Sequence, residues 1–272
     1  MKLLNRFVFA AVMSLAGFVA VAPAQADGDC SLLVDAADGA VLSRTGDCDQ
    51  AVTPASTFKV PLAVMGFDSG VLVDAENPAW PFRPGYADWM ENWKTTVTPR
   101  YWLDKSVVWY SQELTKKLGA ARFQNYVDTF NYGNRDLTGD AGKNNGLTNA
   151  WLRSSLKITP LEQAQFLDRL LNRKLGVSEK AYDMTYESMQ KTELGNGWTV
   201  SGKTGTSFLS NADGTADAQK RQLGWFVGWA EKGARKIIFV HLVEDQKKEK
   251  SFAGPRAKAE LLGLLPDALK GL

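Results

Sequence analysis

The chain of 272 residues contains a single histidine, His241, and only two cysteines, Cys30 and Cys48. His241 lies inside the apolar run 237–243, so we expect it to be a buried strand residue and not a general base. A triad of serine, histidine and a carboxylate is therefore disfavoured. One histidine and two cysteines also fall short of the three or four nitrogen and sulfur ligands of a usual zinc site, so no metal is expected.

The chain also lacks a long apolar run beyond its first residues. Lys2 and Arg6 precede the apolar run 7–22, and the small-residue pattern of 24–26 is typical of a cleavage site. Residues 1–26 are therefore predicted to be a cleaved signal peptide, so the mature protein is expected to be exported to the periplasm. No later stretch approaches the roughly 20 apolar residues of a membrane span, and no membrane attachment is expected after cleavage.

Net charge is low as well. Removing 26 residues from 272 leaves 246, and losing Lys2 and Arg6 lowers the formal net charge from +2 to 0. A neutral chain provides little long-range attraction, so nucleic acid is not an expected partner. Selectivity for an anionic ligand must come from a few placed cations. The length fits one large domain or two interleaved lobes, and monomer and homodimer both stay open.

The two cysteines lie on either side of a turn-like Asp38-Gly39. They are expected either to form a disulfide across a hairpin or to be two buried thiols. Export to an oxidising compartment favours the disulfide. Neither cysteine is assigned a catalytic role.

Apolar periodicity predicts the order of the secondary-structure elements. A strand, turn and strand are predicted over 30–44, and a helix is predicted from Thr57 to about Phe67, with Ser56 at its N-terminus. The remaining predicted elements are helices over 103–118, 121–130, 160–173 and 178–190, strands over 198–204, 222–230 and 235–243, and a closing helix over 256–270.

Strands at both ends of the chain and helices in the middle predict an α+β fold. An antiparallel sheet is built from the N- and C-terminal segments and flanked by terminal helices, and an all-helical lobe is inserted. Residues 27–58 and 191–272 are predicted to form the mixed lobe, and 59–190 the mainly helical lobe. The active site is expected in the cleft between the two lobes.

The sequence Ser56-Thr57-Phe58-Lys59 places a hydroxyl and an amine three residues apart at the start of a helix. Both side chains then project from one face and can form a hydrogen bond. The helix N-terminus adds partial positive charge and free N–H groups. By itself the S-x-x-K pattern is weak, because serine is a common N-cap and lysine a common helical residue.

A second pattern, Lys203-Thr204-Gly205, follows a predicted strand, and Gly205 permits close approach of a ligand to the backbone. S-x-x-K and K-T-G occur together in class A β-lactamases and penicillin-binding proteins, with an S-D-N element between them. Here the intermediate position is Ser106-Val107-Val108, so the missing S-D-N argues against class A.

The ordered motifs resemble those of the class D serine β-lactamases, the oxacillinases. The resemblance covers essentially the whole mature chain. It rests on Ser56-Thr57-Phe58-Lys59, Ser106-Val107-Val108, Tyr132-Gly133-Asn134, Trp151-Leu152 and Lys203-Thr204-Gly205.

The resemblance implies a role for each motif in cleaving small-molecule β-lactam antibiotics. Ser56 is the nucleophile and Lys59 the base, and the backbone N–H groups of Ser56 and Thr206 form an oxyanion hole. Ser106 relays a proton to the ring nitrogen, and Lys203 keeps the site electropositive. The residues implied to bind substrate are Thr204, Gly205, Arg256, Tyr132 and Asn134.

The resemblance also implies that CO2 carboxylates Lys59, so that a carbamate is the base in both half-reactions. Carbamate formation requires a neutral amine. A lysine close to Val108, Trp151 and Leu152 would be desolvated, which lowers its pKa. The Trp151 indole N–H is a donor suited to a carbamate oxygen.

Two other functions stay open. A β-lactam sensor domain shares this fold and is acylated without turnover, although such domains are normally tethered behind transmembrane helices. A cell-wall transpeptidase or carboxypeptidase is the third reading. The absence of S-D-N and the apolar surroundings expected for Lys59 speak against it.

Overall fold

A computed structural model describes residues 28–211, 215 and 217–272. The predicted signal peptide, residues 1–26, lies outside the described residues. Within the part that is described, no helix is both long and apolar enough to cross a membrane. The fold has a six-stranded antiparallel sheet and eight α-helices among the described residues.

The sheet joins the two ends of the chain, as predicted. Its spatial order is β2-β1-β6-β5-β4-β3, so the N-terminal hairpin pairs with the C-terminal strand β6. The strands are β1 Cys30–Asp35, β2 Val41–Gly46, β3 Lys191–Gly195, β4 Trp198–Phe208, β5 Gln222–Lys232 and β6 Arg235–Glu244. The short edge strand β3 was not predicted, because its five residues alternate in exposure without an apolar pattern.

The helices follow the predicted order with one correction. They are α1 Lys59–Asp68, α2 Pro99–Lys105, α3 Val108–Leu118, α4 Ala120–Thr129, α5 Gly146–Asn149, α6 Pro160–Leu171, α7 Glu179–Ser188 and α8 Ala253–Ala268. The single helix predicted over 103–118 is wrong. The chain breaks at Ser106, whose φ of +56° is left-handed and ends α2.

The sheet separates two apolar clusters. One face packs against α8 through a small cluster that includes Leu33, Phe226 and Leu261. The other face packs against the middle helices in a much larger cluster that includes Phe58, Trp151 and Trp225. Ser56 and the start of α1 therefore lie at the junction between the sheet and the helices. The predicted division into lobes 27–58 with 191–272 and 59–190 stays a prediction.

The hairpin β1–β2 is tied at its base. Cys30 and Cys48 form a disulfide whose Cα atoms are 5.1 Å apart. Of the two alternatives left open by the sequence, the structure has the disulfide and not two thiols. His241 is buried in β6, as expected, and its Nδ1 lies 2.6 Å from Ser31 Oγ.

Candidate active site

Ser56 lies in a tight turn that leads into α1. Residues Ala55–Phe58 form a single 3₁₀ turn, and the α-helix begins only at Lys59. The predicted start of the helix at Thr57 is therefore two residues early. Ala55 has a φ of +50°, a region that costs a residue other than glycine about 1–3 kcal/mol. The Thr57 N–H and Oγ1 both donate to Pro54 O, and these bonds hold the turn in place.

Lys59 is fully buried beneath this turn. Its Nζ donates to Ser56 Oγ at 3.1 Å. Burial places the pKa of Lys59 well below the ordinary value, and the positive charge of Lys203 lowers it further. A neutral amine next to the Ser56 hydroxyl is therefore favoured, and this amine can accept the serine proton.

The residues predicted to surround Lys59 belong to the larger apolar cluster, and their contact with Lys59 stays a prediction. Val108 and Trp151 are buried in one cluster with Phe58, and Leu152 packs against that cluster. The rings of Phe58 and Trp151 are 5.6 Å apart. Thr53 Oγ1 donates to the Trp151 carbonyl. The Trp151 Nε1–H is buried without any hydrogen-bond partner among the described residues.

Ser106 and Lys203 form a second serine–lysine pair. The left-handed backbone at Ser106 turns its hydroxyl to β4, where Lys203 Nζ donates to Ser106 Oγ and to the Thr204 carbonyl. Burial lowers the pKa of Lys203 to about 7. The negative charge of Asp104 opposes this shift, whereas the positive charge of Lys258 adds to it.

Strand β4 lies directly against the Ser56 turn at Gly205. A Cβ added at Gly205 would lie 3.1 Å from Pro54 O and 3.3 Å from Thr57 N, so a larger residue would push the strand away from the turn. Beyond it, Thr206 Oγ1 accepts the Gly254 N–H at 2.9 Å, which attaches α8 to the same strand.

Arg256 lies on the first turn of α8. Its Nη2 donates to Asp245 Oδ1 at 2.6 Å, and Asp245 is itself buried. The other carboxylate oxygen of Asp245 accepts the Gln222 N–H. Arg256 Nε is buried and has no partner among the described residues. The guanidinium therefore keeps donors that are not used by Asp245.

The prediction that Tyr132 and Asn134 bind substrate stays a prediction, and the structure shows which internal partners these residues have. Tyr132 is fully buried, and its hydroxyl donates to Gln163 Oε1. Asn134 is exposed, but its amide is committed to backbone groups of 155 and 157. Both residues support the segments around the site, because their polar atoms are occupied within the protein.

Two residues of the site were missed from the sequence. Gln163 Nε2 donates to Thr57 Oγ1 at 2.8 Å and so joins α6 to the Ser56 turn. Gln163 is buried on the apolar face of α6, and a polar residue at a core position of a helix was the signal that was available. Thr57 was part of the quoted motif but received no role.

The described residues contain no group of three or more His, Cys, Asp or Glu side chains that could hold a metal ion. The groups next to Ser56 and Ser106 that can take up or give a proton are the amines of Lys59 and Lys203. The chemistry available is therefore that of two hydroxyls, each next to a buried amine.

Comparison with known proteins agrees with this arrangement. The penicillin-binding protein transpeptidase domain matches residues 30–262. β-Lactamase OXA-9 of Klebsiella pneumoniae is 45% identical over 238 residues, which are 87% of this chain and 86% of that protein. β-Lactamase OXA-1 of Escherichia coli is 37% identical over 239 residues, 87% of this chain and 83% of that one.

Solved structures give the same result. The crystal structure of the OXA-427 class D β-lactamase has a TM-score of 0.84 at 51% identity, and the match covers 89% of this chain and 98% of that chain. The C-terminal domain of the Bacillus licheniformis BlaR penicillin receptor has a TM-score of 0.75 at 24% identity, and the match covers 89% of each chain. At this identity the match shows that the fold is similar and no more. Since the family model, the curated relatives and the OXA-427 structure agree over most of the chain, this protein belongs to the class D β-lactamases.

Proposed function

We propose that the protein hydrolyses β-lactam antibiotics through an acyl-enzyme on Ser56 and so gives resistance to penicillin-type compounds. The observation that carries this proposal is the 3.1 Å hydrogen bond from the fully buried Lys59 to Ser56 Oγ. A desolvated amine is a base at neutral pH, and its only hydroxyl partner among the described residues is the proposed nucleophile.

Acylation begins when Ser56 Oγ attacks the lactam carbonyl carbon and loses its proton to the base at position 59. The backbone N–H groups of Ser56 and Thr206 are proposed to stabilise the oxyanion. The ring C–N bond then breaks. Ser106 donates a proton to the leaving nitrogen and regains one from Lys203, whose Nζ is bonded to it. The result is an ester on Ser56 and an opened ring.

Deacylation uses the same base, once it has released the serine proton to solvent and Lys203 has taken up a proton from solvent. Water then attacks the ester carbonyl carbon and gives a proton to the base at position 59, which passes it to Ser56 Oγ as the ester C–O bond breaks and the acid product is released. Thr204, Gly205 and Arg256 are proposed to hold the substrate carboxylate, because β4 and the first turn of α8 meet at the bond from Gly254 to Thr206.

We further propose that CO2 carboxylates Lys59 on Nζ. The residues present fit such a group, because a neutral amine is required and the burial of Lys59 favours one. The buried Trp151 Nε1–H has no partner among the described residues and would hold a carbamate oxygen. Val108 and Leu152 would keep water out. When present, the carbamate supplies a carboxylate-type oxygen as the base.

Hydrolysis of a chromogenic cephalosporin by the purified mature protein is the direct test. The wild type is expected to turn over, Ser56→Ala is expected to abolish turnover, and Ser43→Ala on the exposed strand β2 is the matched control. Stoichiometric, long-lived acylation of Ser56 without turnover would favour the sensor function instead. Activity on cell-wall peptides would favour a transpeptidase, and an inactive wild type would refute the proposal.

Carboxylation is tested separately with ¹³C-labelled bicarbonate. A carbamate signal in the ¹³C NMR spectrum is expected for the wild type and not for Lys59→Ala. Activity lost on acidification should return when bicarbonate is added at neutral pH. A wild type with full activity and no carbamate signal would mean that the free amine is the base.

N-terminal sequencing of the exported protein should begin at Asp27 if residues 1–26 are cleaved.

A further inference from the structure

A cavity of about 690 Å³ lies next to the active site but contains none of the residues to which catalysis or substrate binding has been assigned. It lies between the 51–53 segment, the 153–157 segment and the end of β4. Thr53 lines the cavity, and its Oγ1 donates a hydrogen bond to the Trp151 carbonyl on the side of the active site. Thr53 therefore lies between the cavity and the active site. A volume of this size is typical of sites for small organic molecules.

Two cations on the wall of this cavity are not neutralised. Within the described ranges, neither the side chain of Arg153 nor that of Lys157 has a hydrogen-bond or ion-pair partner. Lys157 is half-buried, and burial together with the charge of Arg153 lowers its pKa. Two like charges that repel each other at the wall of a cavity gain stability from an anion placed between them.

Two other charged groups of the wall are in ion pairs, Arg221 with Asp217 and Asp140 with Lys143. Arg221 bonds Asp217 through Nε and Nη2. Asp140 accepts hydrogen bonds from Asn145, Asn149 and Ser154. The excess of positive charge therefore stays at the two side chains of the 153–157 segment.

Glu244, which also lines the cavity, offsets only part of that excess at neutral pH. Burial raises the pKa of Glu244 to about 7, and the negative charges of Asp29 and Asp47 act in the same direction, while Arg221 opposes them. Near pH 7 a large part of Glu244 is therefore neutral. Above pH 7 its negative charge grows and competes with any anion bound to the cations.

The wall also offers apolar surface. The Phe208 side chain is 44% exposed where β4 ends, and Leu209 and Leu223 line the same cavity. An exposed aromatic ring beside two unpaired cations fits a ligand with an apolar body and one anionic group.

We propose that this cavity is a binding site for a small organic carboxylate, whose carboxylate pairs with Arg153 and Lys157 and whose apolar part lies against Phe208. The site is separate from the one that holds the substrate carboxylate at Thr204 and Arg256. Its occupancy does not depend on whether the protein hydrolyses β-lactams.

Isothermal titration calorimetry with 2-naphthoate tests the proposal, and the neutral 2-naphthylmethanol is the control ligand. We expect wild type to bind 2-naphthoate, with weaker binding above pH 7 than below. The double variant R153Q/K157Q should lose at least tenfold in affinity, whereas K157R should keep it. K270Q removes a cation that does not line the cavity and should bind as wild type does.

A further variant separates this cavity from the active site. In Arg256→Gln the cavity is intact while the cation proposed to hold the substrate carboxylate is lost, so 2-naphthoate should bind with unchanged affinity. Loss of binding in Arg256→Gln with normal binding in R153Q/K157Q would overturn the proposal, as would equal binding of the neutral alcohol. R153Q/K157Q should unfold at the wild-type temperature and hydrolyse a chromogenic cephalosporin normally, which shows that the variant is folded.

Discussion

The two serine–lysine pairs of this protein are similar in chemistry and different in construction. Ser56 and Lys59 are three residues apart and belong to one turn of chain, whereas Ser106 and Lys203 are 97 residues apart and come from a helix end and a strand. Both lysines are fully buried or nearly so. Their surroundings differ, since Lys59 faces an apolar cluster and Lys203 has the charges of Asp104 and Lys258 nearby.

This difference explains how one site can hold two lysines with separate roles. Burial lowers the pKa of Lys59 well below its ordinary value, and the neighbouring cation Lys203 lowers it further. For Lys203, Asp104 opposes burial, and the pKa stays at about 7, where both protonation states are populated. The difference supports the proposal that Lys59 is the base and Lys203 the proton donor.

Replacing each lysine by methionine should give the largest contrast. We expect Lys59→Met to lose about 10⁴-fold in kcat, since both half-reactions need the base, and Lys203→Met about 10²-fold. Steady-state hydrolysis of a chromogenic cephalosporin gives both values. Equal losses would show that the two pairs do not differ in role.

The same substitutions should raise stability, because a buried lysine has a desolvation cost that methionine lacks. For Lys203→Met we expect a gain of about 0.5–2 kcal/mol in the free energy of unfolding. In the folded protein Lys203 binds its proton less tightly than in the unfolded chain, so the wild type loses stability as pH falls from 10.5 to about 7. The advantage of the variant should therefore grow over that window in urea unfolding experiments.

Trp151→Phe should lower the catalytic contribution of the Ser56–Lys59 pair and leave the Ser106–Lys203 pair unchanged. The ring packing on Phe58 is kept, but the buried N–H without a partner is lost. If that N–H holds a carbamate, its loss should lower kcat about tenfold to 100-fold, since a buried hydrogen bond to a charged group is worth roughly 1.5–3 kcal/mol. High bicarbonate should restore part of the activity, and no effect of bicarbonate would argue against the carbamate.

Charge substitutions around Lys203 should shift its titration in opposite directions. Asp104→Asn removes a charge that raises the pKa of Lys203, and Lys258→Gln removes one that lowers it. If protonated Lys203 is the active form, kcat/KM falls as pH rises through its pKa. The pH at which kcat/KM falls should be lower than in the wild type for Asp104→Asn and higher for Lys258→Gln. Shifts of both variants in the same direction would contradict the proposal that protonated Lys203 is the active form.

Gln163→Leu should give the smallest change. Gln163 joins Thr57 and Tyr132 under the Ser56 turn, so its loss removes the acceptor of the buried Tyr132 hydroxyl and one of the two hydrogen bonds of Thr57 Oγ1. We expect a loss of about 1–3 kcal/mol in the free energy of unfolding. The change in kcat should be less than about tenfold, because Lys59 and Ser56 stay on one turn. Thermal unfolding and kinetics together distinguish this result from direct participation in catalysis.

Much of the site could be predicted from the sequence because the residues concerned are close together in the chain. A hydroxyl and an amine three residues apart at a helix start meet through helical geometry alone, and the order of the five motifs identified the class D pattern. Strands β4 to β6 and the closing helix were predicted for the same reason, since their periodicity is contained within each segment. Edge strand β3 and the break at Ser106 were missed because neither has such a local pattern.

The sequence by itself thus determined the class, the Ser56–Lys59 pair and the joining of both chain ends in one sheet. Only the tertiary structure decided which hydroxyl Lys203 meets, that Tyr132 is buried against Gln163, and that Arg153 and Lys157 are left unpaired beside a cavity. These outcomes depend on distances between residues far apart in the chain. Burial, which sets the pKa of each lysine, exists only once those distances are established.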